Sequence, residues 1–174
     1  MTDEVSMYRL ATSLPVIILT RAKGQQGNEW QDFDEGPGIF NLPDSQEIAI
    51  RIKNIGDAEV KVLADELADC PGIVELNLSE NRSITNTALE IIPAFKYLTG
   101  LNLSSCGITN SALEHLKRFP RLKRLNLSYC NRLTDDGMKT IKALNRLEYL
   151  DLQGCVKITM GGLSKIRRRE LTVH

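Results

Sequence analysis

Apolar and polar residues alternate in four short segments of the chain, each built around a Leu-Asn-Leu or Leu-Asp-Leu triplet. The central residues of the triplets are Asn77, Asn102, Asn126 and Asp151, so the segments recur every 24 or 25 residues. Alternation with a period of two predicts a short β-strand whose leucines face a core and whose central residue faces outward. The constant longer period predicts a solenoid, in which each unit stacks on the one before it.

A second apolar block follows each predicted strand and begins with an apolar residue and a threonine. The four threonines are Thr85, Thr109, Thr134 and Thr159. A threonine at this place predicts a helix N-cap, because its hydroxyl can accept a backbone N–H one turn into the helix. Each unit is therefore predicted to contain a strand, a loop and a helix. Stacking would place a parallel sheet on the concave side of the solenoid and the helices on the convex side.

Residues 47–72 form a degenerate first unit, because the triplet Ile50-Arg51-Ile52 lies 26 residues before its counterpart in the next unit. We therefore predict an N-terminal capping region at residues 1–46 and a repeat domain at residues 47–174. This domain would hold about five repeats and a short C-terminal cap strand. Within residues 39–52 the turn chemistry of Pro-Asp-Ser predicts a hairpin-like entry. Trp30 and Phe33 are predicted to plug the exposed core of the first repeat.

The sequence Leu-x-x-Leu-Asn-Leu-Ser-x-Cys, followed by Ile/Leu-Thr-Asp/Asn, resembles the cysteine-containing subclass of leucine-rich repeats found in the substrate-receptor half of F-box proteins. The resemblance implies a right-handed α/β horseshoe arc and a role in binding other proteins. Residues 1–46 do not resemble the helical F-box module, so no ubiquitin-ligase role is transferred. A substrate-receptor or adaptor subunit of a larger complex remains an alternative.

Cysteines recur once per unit, at Cys106, Cys130 and Cys155. Zinc ligands usually come as close Cys-x-x-Cys pairs, so this spacing predicts a buried structural row and no metal site. Each thiol would act as a small apolar group that bonds weakly to the loop backbone, and Asn81 would take the same place through its amide. Disulfides are not expected in a cytoplasmic chain.

Charge is balanced overall, with 22 basic and 22 acidic residues among 174, but it is unevenly distributed. Residues 116–174 hold 14 basic and 5 acidic side chains, whereas residues 1–46 hold 3 and 7. The zero net charge gives no reason to expect nucleic acid or a membrane as the partner, so neither is expected. The basic last third nevertheless supports an alternative function, electrostatic binding of an anionic surface such as nucleic acid or an acidic protein. Its candidate residues are Arg167, Arg168 and Arg169.

Motifs for catalysis, cofactors and membrane insertion are missing from the sequence. Only two histidines occur, and there is no phosphate-binding glycine loop and no His-Glu-x-x-His. The apolar run at residues 14–19 is far shorter than the roughly 20 residues of a membrane span, and the N-terminus lacks the order of a secretory signal. We therefore predict a non-enzymatic cytoplasmic protein without a cofactor.

Function must then come from a surface, and the repeat alignment predicts which side chains share one. The nearly uniform column of Asn77, Asn102, Asn126 and Asp151 is predicted to be a structural ladder, in which neighbouring amides bond to one another. The varied positions around it are predicted to bind a protein segment on the concave face. They are Glu75, Glu80, Arg124, Tyr129, Tyr149 and Gln153, of which Tyr and Arg are residue types enriched at binding hot spots. A monomer is expected, although pairing of exposed ends with another copy stays open.

Overall fold

The computed structural model describes residues 6–25 and 29–174. They form one sheet with the strand order β2-β1-β3-β4-β5-β6-β7-β8, in which β3 to β8 run parallel and β1 is antiparallel to both of its neighbours. The strands are β1 Met7–Ala22, β2 Gln31–Pro43, β3 Gln46–Arg51, β4 Ile73–Asn77, β5 Gly100–Asn102, β6 Arg124–Asn126, β7 Tyr149–Asp151 and β8 Thr172–Val173.

Helices follow the strands in each unit, as the second apolar block predicts. The α-helices are α1 Asp57–Leu67, α2 Asn86–Ile91, α3 Met138–Ala143 and α4 Met160–Ile166, and 3-10 helices span Ile92–Ala94, Asn110–Arg118 and Asp135–Gly137. Thr85, Thr134 and Thr159 cap their helices through the side-chain oxygen, but Thr109 does not. The Thr109 hydroxyl accepts a hydrogen bond from the Asn86 amide and contacts the Ser111 hydroxyl.

The core is a continuous stack of leucine and isoleucine side chains between the sheet and the helices. Leu76, Leu101, Leu125 and Leu150 are register partners in adjacent strands, and each is almost fully buried. Burial of one such side chain stabilises a fold by about 1.5–3 kcal/mol. Because every unit contributes leucines to the same stack, the units are held mainly by their immediate neighbours.

The N-terminal segment differs from the predicted hairpin-like entry. The turn after Pro43 is present, but β2 and β3 do not pair, because β1 lies between them. The pairing of β1 with β2 shifts register between Thr12 and Val16, and the two ends of β1 meet at this turn. There the Asp44 N–H donates to the Ser6 carbonyl, and the Lys23 N–H donates to the Ser45 carbonyl.

The carboxylate of Glu66 in α1 holds the irregular part of β1. It accepts hydrogen bonds from the Thr12 hydroxyl at 2.7 Å, the Ser13 N–H at 3.0 Å and the Ser13 hydroxyl at 2.7 Å. Three donors on one carboxylate outweigh its partial desolvation, so the pKa of Glu66 is lowered. A long hairpin is thereby tied to the first helix of the repeats.

Trp30 and Phe33 do not plug the first repeat as predicted. The apolar cluster at this end is built from the inward-facing residues of the hairpin, Leu10, Val16, Ile18, Phe40 and Leu42. Phe33 is 42% exposed, because its part of β2 is solvated along most of its length. Residues 1–5 and 26–28 of the predicted capping region lie outside the described residues.

Candidate protein-binding surface

Outward side chains of the parallel strands form two columns on the sheet face opposite the helices, here called the open face. In the first column Glu75 pairs in register with Gly100, Gly100 with Arg124, and Arg124 with Tyr149. The second column contains Arg51, Asn77, Asn102, Asn126 and Asp151. The shared column of Asn77, Asn102, Asn126 and Asp151 agrees with the prediction from the repeat period.

A hollow lies at the middle of the open face, where Gly100 contributes no side chain. Its volume is about 270 Å³. The side chains around it come from both columns and are Glu75, Asn77, Asn102, Arg124, Asn126 and Tyr149. The hollow is therefore polar on one side and aromatic on the other.

Glu75 and Arg124 form an ion pair that crosses the Gly100 strand. A Cβ atom at position 100 would lie only 2.9 Å from Cγ and Cδ of Glu75, so the glycine leaves the space in which the pair forms. Burial lowers the pKa of Arg124, and the positive charge of Arg21 acts in the same direction. Both residues were predicted as separate binding positions, but a ligand would meet them as one neutral pair.

The second column does not form the predicted ladder of amide–amide bonds. The Oδ1 atoms of Asn77, Asn102 and Asn126 accept the backbone N–H two residues later, at 2.9–3.0 Å. Asp151 does the same for Gln153 at 2.9 Å. Each side chain therefore closes the loop after its own strand, as Asx turns do. Only an acceptor oxygen is needed for this role, which explains why Asp fits where the other units have Asn.

The three cysteines of the row lie in the core, and each contacts the preceding unit in the same way. The thiols of Cys106, Cys130 and Cys155 donate to carbonyl oxygens of that unit at 3.1–3.2 Å. Burial raises the pKa of Cys106 and Cys130 to about 12. Asn81 occupies the equivalent place and donates to the Ile52 carbonyl at 2.9 Å. All four described cysteines are free thiols.

A third row consists of the loop residues with left-handed backbone conformation. They are Asn54, Glu80, Ser105, Tyr129 and Gly154, with φ between 58° and 73°. The N–H groups of Glu80, Ser105 and Tyr129 donate to a carbonyl of the following unit at 2.8–2.9 Å. Positive φ favours glycine or asparagine, so this backbone conformation costs conformational free energy at Glu80 and Tyr129, both of which are exposed.

The remaining predicted binding residues lie at the edge of the open face. Glu80 bonds to Lys53 at 2.9 Å, which lowers the pKa of the Glu80 carboxyl. Tyr129 is 53% exposed, and its ring lies against Gly154. The Tyr149 ring is 5.3 Å from that of His174, and Gln153 is exposed. Of the six residues, Glu75, Arg124 and Tyr149 surround the hollow.

Residues 96–156 match a family model described as Leucine rich repeat. This part of the chain carries leucine-rich repeats. A chain in the crystal structure of the Rad7 and Elc1 complex in yeast has a similar fold, with a TM-score of 0.57 and 18% sequence identity. The similarity covers 69% of this chain but only 30% of that one, and at this identity it shows the fold alone. A search of curated proteins finds no match.

A polar ladder that sequence reasoning missed connects successive repeats. Asp57, Asn86, Asn110 and Asp135 each bond to both the N–H and the hydroxyl of the threonine that begins the next helix, over 2.5–3.0 Å. Those threonines are Thr85, Thr109, Thr134 and Thr159. The dipeptide Thr-Asn or Thr-Asp in three successive repeats was the available signal. The hydrogen bonds that Thr159 donates to Asp135 lower the pKa of the Asp135 carboxyl.

Basic residues of the last third mostly bind within the repeats. The guanidinium groups of Arg118, Arg132, Arg146 and Arg168 donate to backbone carbonyls of the preceding repeat. Lys117 and Lys123 form ion pairs with glutamates, and Arg121 lies 5.3 Å from the Tyr97 ring. The high positive charge of this part is therefore largely explained by contacts between repeats.

Arg167, Arg168 and Arg169 do not form one anion-binding cluster. Arg168 is half-buried and donates to the Leu144 and Leu147 carbonyls at 2.6 and 2.8 Å. Arg167 and Arg169 are exposed. The prediction that all three face an anionic partner is wrong for Arg168, because its side chain is used to hold the loop after α3.

Trp30 extends the open face at its N-terminal end. Arg21 of β1 bonds to Glu47 of β3 at 2.7 Å, and its guanidinium carbon lies 4.2 Å from the centre of the Trp30 ring. Arg21 and Glu47 are register partners, so the sheet face continues through both strands. Sequence reasoning missed this contact because the hairpin carries no repeat pattern.

The described residues contain no group of three or more His, Cys, Asp or Glu side chains that could hold a metal ion. In the same part of the chain, no helix is long and apolar enough to cross a membrane. His115 lies near Glu90, with Nε2 3.9 Å from Oε1. No evidence of catalytic activity comes from these contacts.

Proposed function

We propose that the repeats act as a non-catalytic interaction module that binds a protein segment on the open face, which would be the concave face of the arc. The observation that carries the proposal is the hollow over Gly100, bordered by Tyr149 and by the neutral Glu75–Arg124 pair. A pocket with an aromatic wall and a pre-paired charge can take up a side chain without leaving a charge unpaired.

The dimensions of the face limit the size of its ligand. The strands from β3 to β7 span four strand spacings, which is about 19 Å. This length suits a short extended segment, a loop or one helix, and it is too small to enclose a domain. Tyr129 and Gln153 adjoin the hollow region along the loop edge and would contact the flanks of such a segment.

The adaptor role is a second candidate, in which the chain is one subunit of a larger complex. Its support is the exposed apolar surface of the last repeat, where Val156 is 80% exposed and Met160 is 71% exposed. The similar fold in the Rad7 and Elc1 complex is compatible with such a role. Electrostatic binding through the basic third has weaker support, because its side chains mostly bind other repeats.

Affinity purification from the native host, with the tagged full chain as bait, tests the proposal. Tyr149→Ala combined with Gly100→Leu should fill and flatten the hollow, so partners recovered by the native chain should be lost. The control is Lys139→Ala, an exposed position on α3 away from the sheet face. Retention of every partner by the open-face variant, with an unchanged melting temperature, would contradict concave-face binding. Selective loss with Met160→Ser would favour the adaptor role.

A further inference from the structure

Three asparagine amides on the open face have N–H groups without a partner among the described residues. Because Oδ1 of Asn77, Asn102 and Asn126 accepts a backbone N–H, the amide nitrogen of each side chain is directed away from the loop. All three side chains line the hollow and are half-buried. Together they form a row of donors at the strand spacing, about 4.8 Å apart.

Arg51 continues this row toward the N-terminus. It is the register partner of Asn77 and is half-buried, and its side chain forms no hydrogen bond or ion pair with any residue that the structure describes. We use the name donor row for Arg51, Asn77, Asn102 and Asn126. At its other end the row stops at Asp151, whose side chain has acceptor oxygens only.

The two carboxylates beside the donor row are already paired. The Glu75 carboxylate binds Arg124, and the Glu47 carboxylate binds Arg21. The three asparagine oxygens accept from the backbone, as described above. The face between Arg51 and Asn126 therefore offers a surplus of N–H donors and one unpaired positive charge.

We infer that the donor row recognises acidic side chains of an extended protein segment. This inference rests on the proposed function and names its ligand class. Carboxylates are the complementary group, since hydrogen bonds from N–H donors to a charged acceptor are stronger than neutral ones. From Arg51 to Asn126 the row spans three strand spacings, about 14 Å. An extended segment crossing the strands places alternate side chains roughly 6.7 Å apart, so three alternate residues cover the row.

Asp151 supplies a test that leaves the fold intact. It occupies the same column as the asparagines and makes the same bond to the backbone two residues later. Asn102→Asp should therefore keep its loop closed while replacing two N–H donors with a negative charge. Asn145→Asp, at an exposed position after α3, is the matched control with the same chemical change. Asp151→Asn is the reverse change and lengthens the donor row.

The experiment selects binders to the full chain from a phage-displayed library of random linear peptides. Selected peptides are synthesised with a fluorophore, and their affinities are measured by fluorescence polarisation. We expect enrichment of Asp and Glu at alternate positions. Asn102→Asp should weaken these peptides at least tenfold through lost hydrogen bonds and repulsion. Asn145→Asp should leave their affinity unchanged, and Asp151→Asn should increase it.

Other outcomes separate the inference from the proposed function. Peptides that lack acidic enrichment but lose affinity in Gly100→Leu would overturn the acidic ligand class and support open-face binding. Peptides that bind all open-face variants equally, or a selection that yields no binder, would overturn both. Thermal unfolding of each variant, compared with that of the native chain, distinguishes a loss of affinity from a loss of fold.

Discussion

Asn81→Cys should destabilise the protein, even though Cys is the residue at this place in the next three repeats. The Asn81 Oδ1 atom accepts the Ile55 N–H at 3.0 Å, and its amide donates to the Ile52 carbonyl at 2.9 Å and the Leu78 carbonyl at 3.0 Å. Asn81 is only 2% exposed. A thiol can replace one weak donor bond, but it is a poor acceptor for the Ile55 N–H.

The need for this acceptor comes from the short first loop. Leu133, which matches Ile55 in a later repeat, donates its N–H to the Cys130 carbonyl of its own loop at 3.0 Å. The first loop runs from residue 52 to 55, whereas the next runs from 78 to 84. The first loop is therefore three residues shorter than the next one. The first loop therefore lacks the turn in which Leu133 bonds to Cys130, and Asn81 of the following repeat supplies the acceptor for the Ile55 N–H.

The expected loss follows from these bonds. A buried N–H left without an acceptor costs about 1–3 kcal/mol, and each net hydrogen bond contributes about 1 kcal/mol. With the thiol keeping one weak bond, Asn81→Cys should lower the free energy of unfolding by about 3 kcal/mol. For a chain of this size, the melting temperature should fall by about 6–12 °C.

Urea unfolding of the full chain, followed by circular dichroism, measures this loss. The matched control is Cys130→Ala, which removes only the thiol bond to the Leu103 carbonyl at 3.2 Å and a small volume. It should cost about 1 kcal/mol. If Asn81→Cys were as stable as the native chain, the acceptor role of Asn81 would be refuted.

Three further predictions concern the loops, the hairpin and the cysteine row. Gly154→Ala should lose about 1–2 kcal/mol in urea unfolding, because φ is +73° and an added Cβ would lie 2.5 Å from Cδ1 of Tyr129; Tyr129→Ala in the same chain should restore only the part due to the ring. Because the pKa of Glu66 is lowered in the folded protein, its ionised carboxylate stabilises the fold at pH values above its ordinary pKa. This stability is lost as the pH falls through the pKa of the folded protein. Unfolding measured from pH 7 to pH 3 should therefore be less pH-dependent in Glu66→Gln, and an unchanged profile would contradict the role of its three bonds. Cys106 and Cys130, with pKa values of about 12, should resist iodoacetamide at pH 8 in the native chain and react in urea, as mass spectrometry would show; rapid native labelling would contradict their burial.

Much of the repeat architecture was predictable from sequence, because its period fixes which residues become neighbours. Strand registers such as Asn102 beside Asn126 follow directly from the 24-residue spacing. The N-terminal hairpin carries no such period, so nothing local shows that β1 lies between β2 and β3. Its position depends on tertiary contacts such as those of Glu66 with Thr12 and Ser13.

Parts of the candidate site were less predictable, because their side chains interact across more than one repeat. Arg124 reaches Glu75 two strands away, which the period alone does not indicate. Once Gly100 is seen between opposite charges in one column, the pair becomes foreseeable. The asparagine column was recognised as regular, but its bonds run into its own loops, which a comparison of neighbouring strands cannot reveal.

The two ends of the described sheet differ in how firmly they are closed, and this gives the molecule a direction for unfolding. At one end a long hairpin shares a core with α1, whereas at the other β8 pairs with β7 through two residues. In a solenoid, each terminal unit is held mainly by one neighbour. We therefore expect the repeat that contains β7 to open and close more often than the repeats beside the hairpin, so that the hairpin end acts as the template on which the other repeats reassemble.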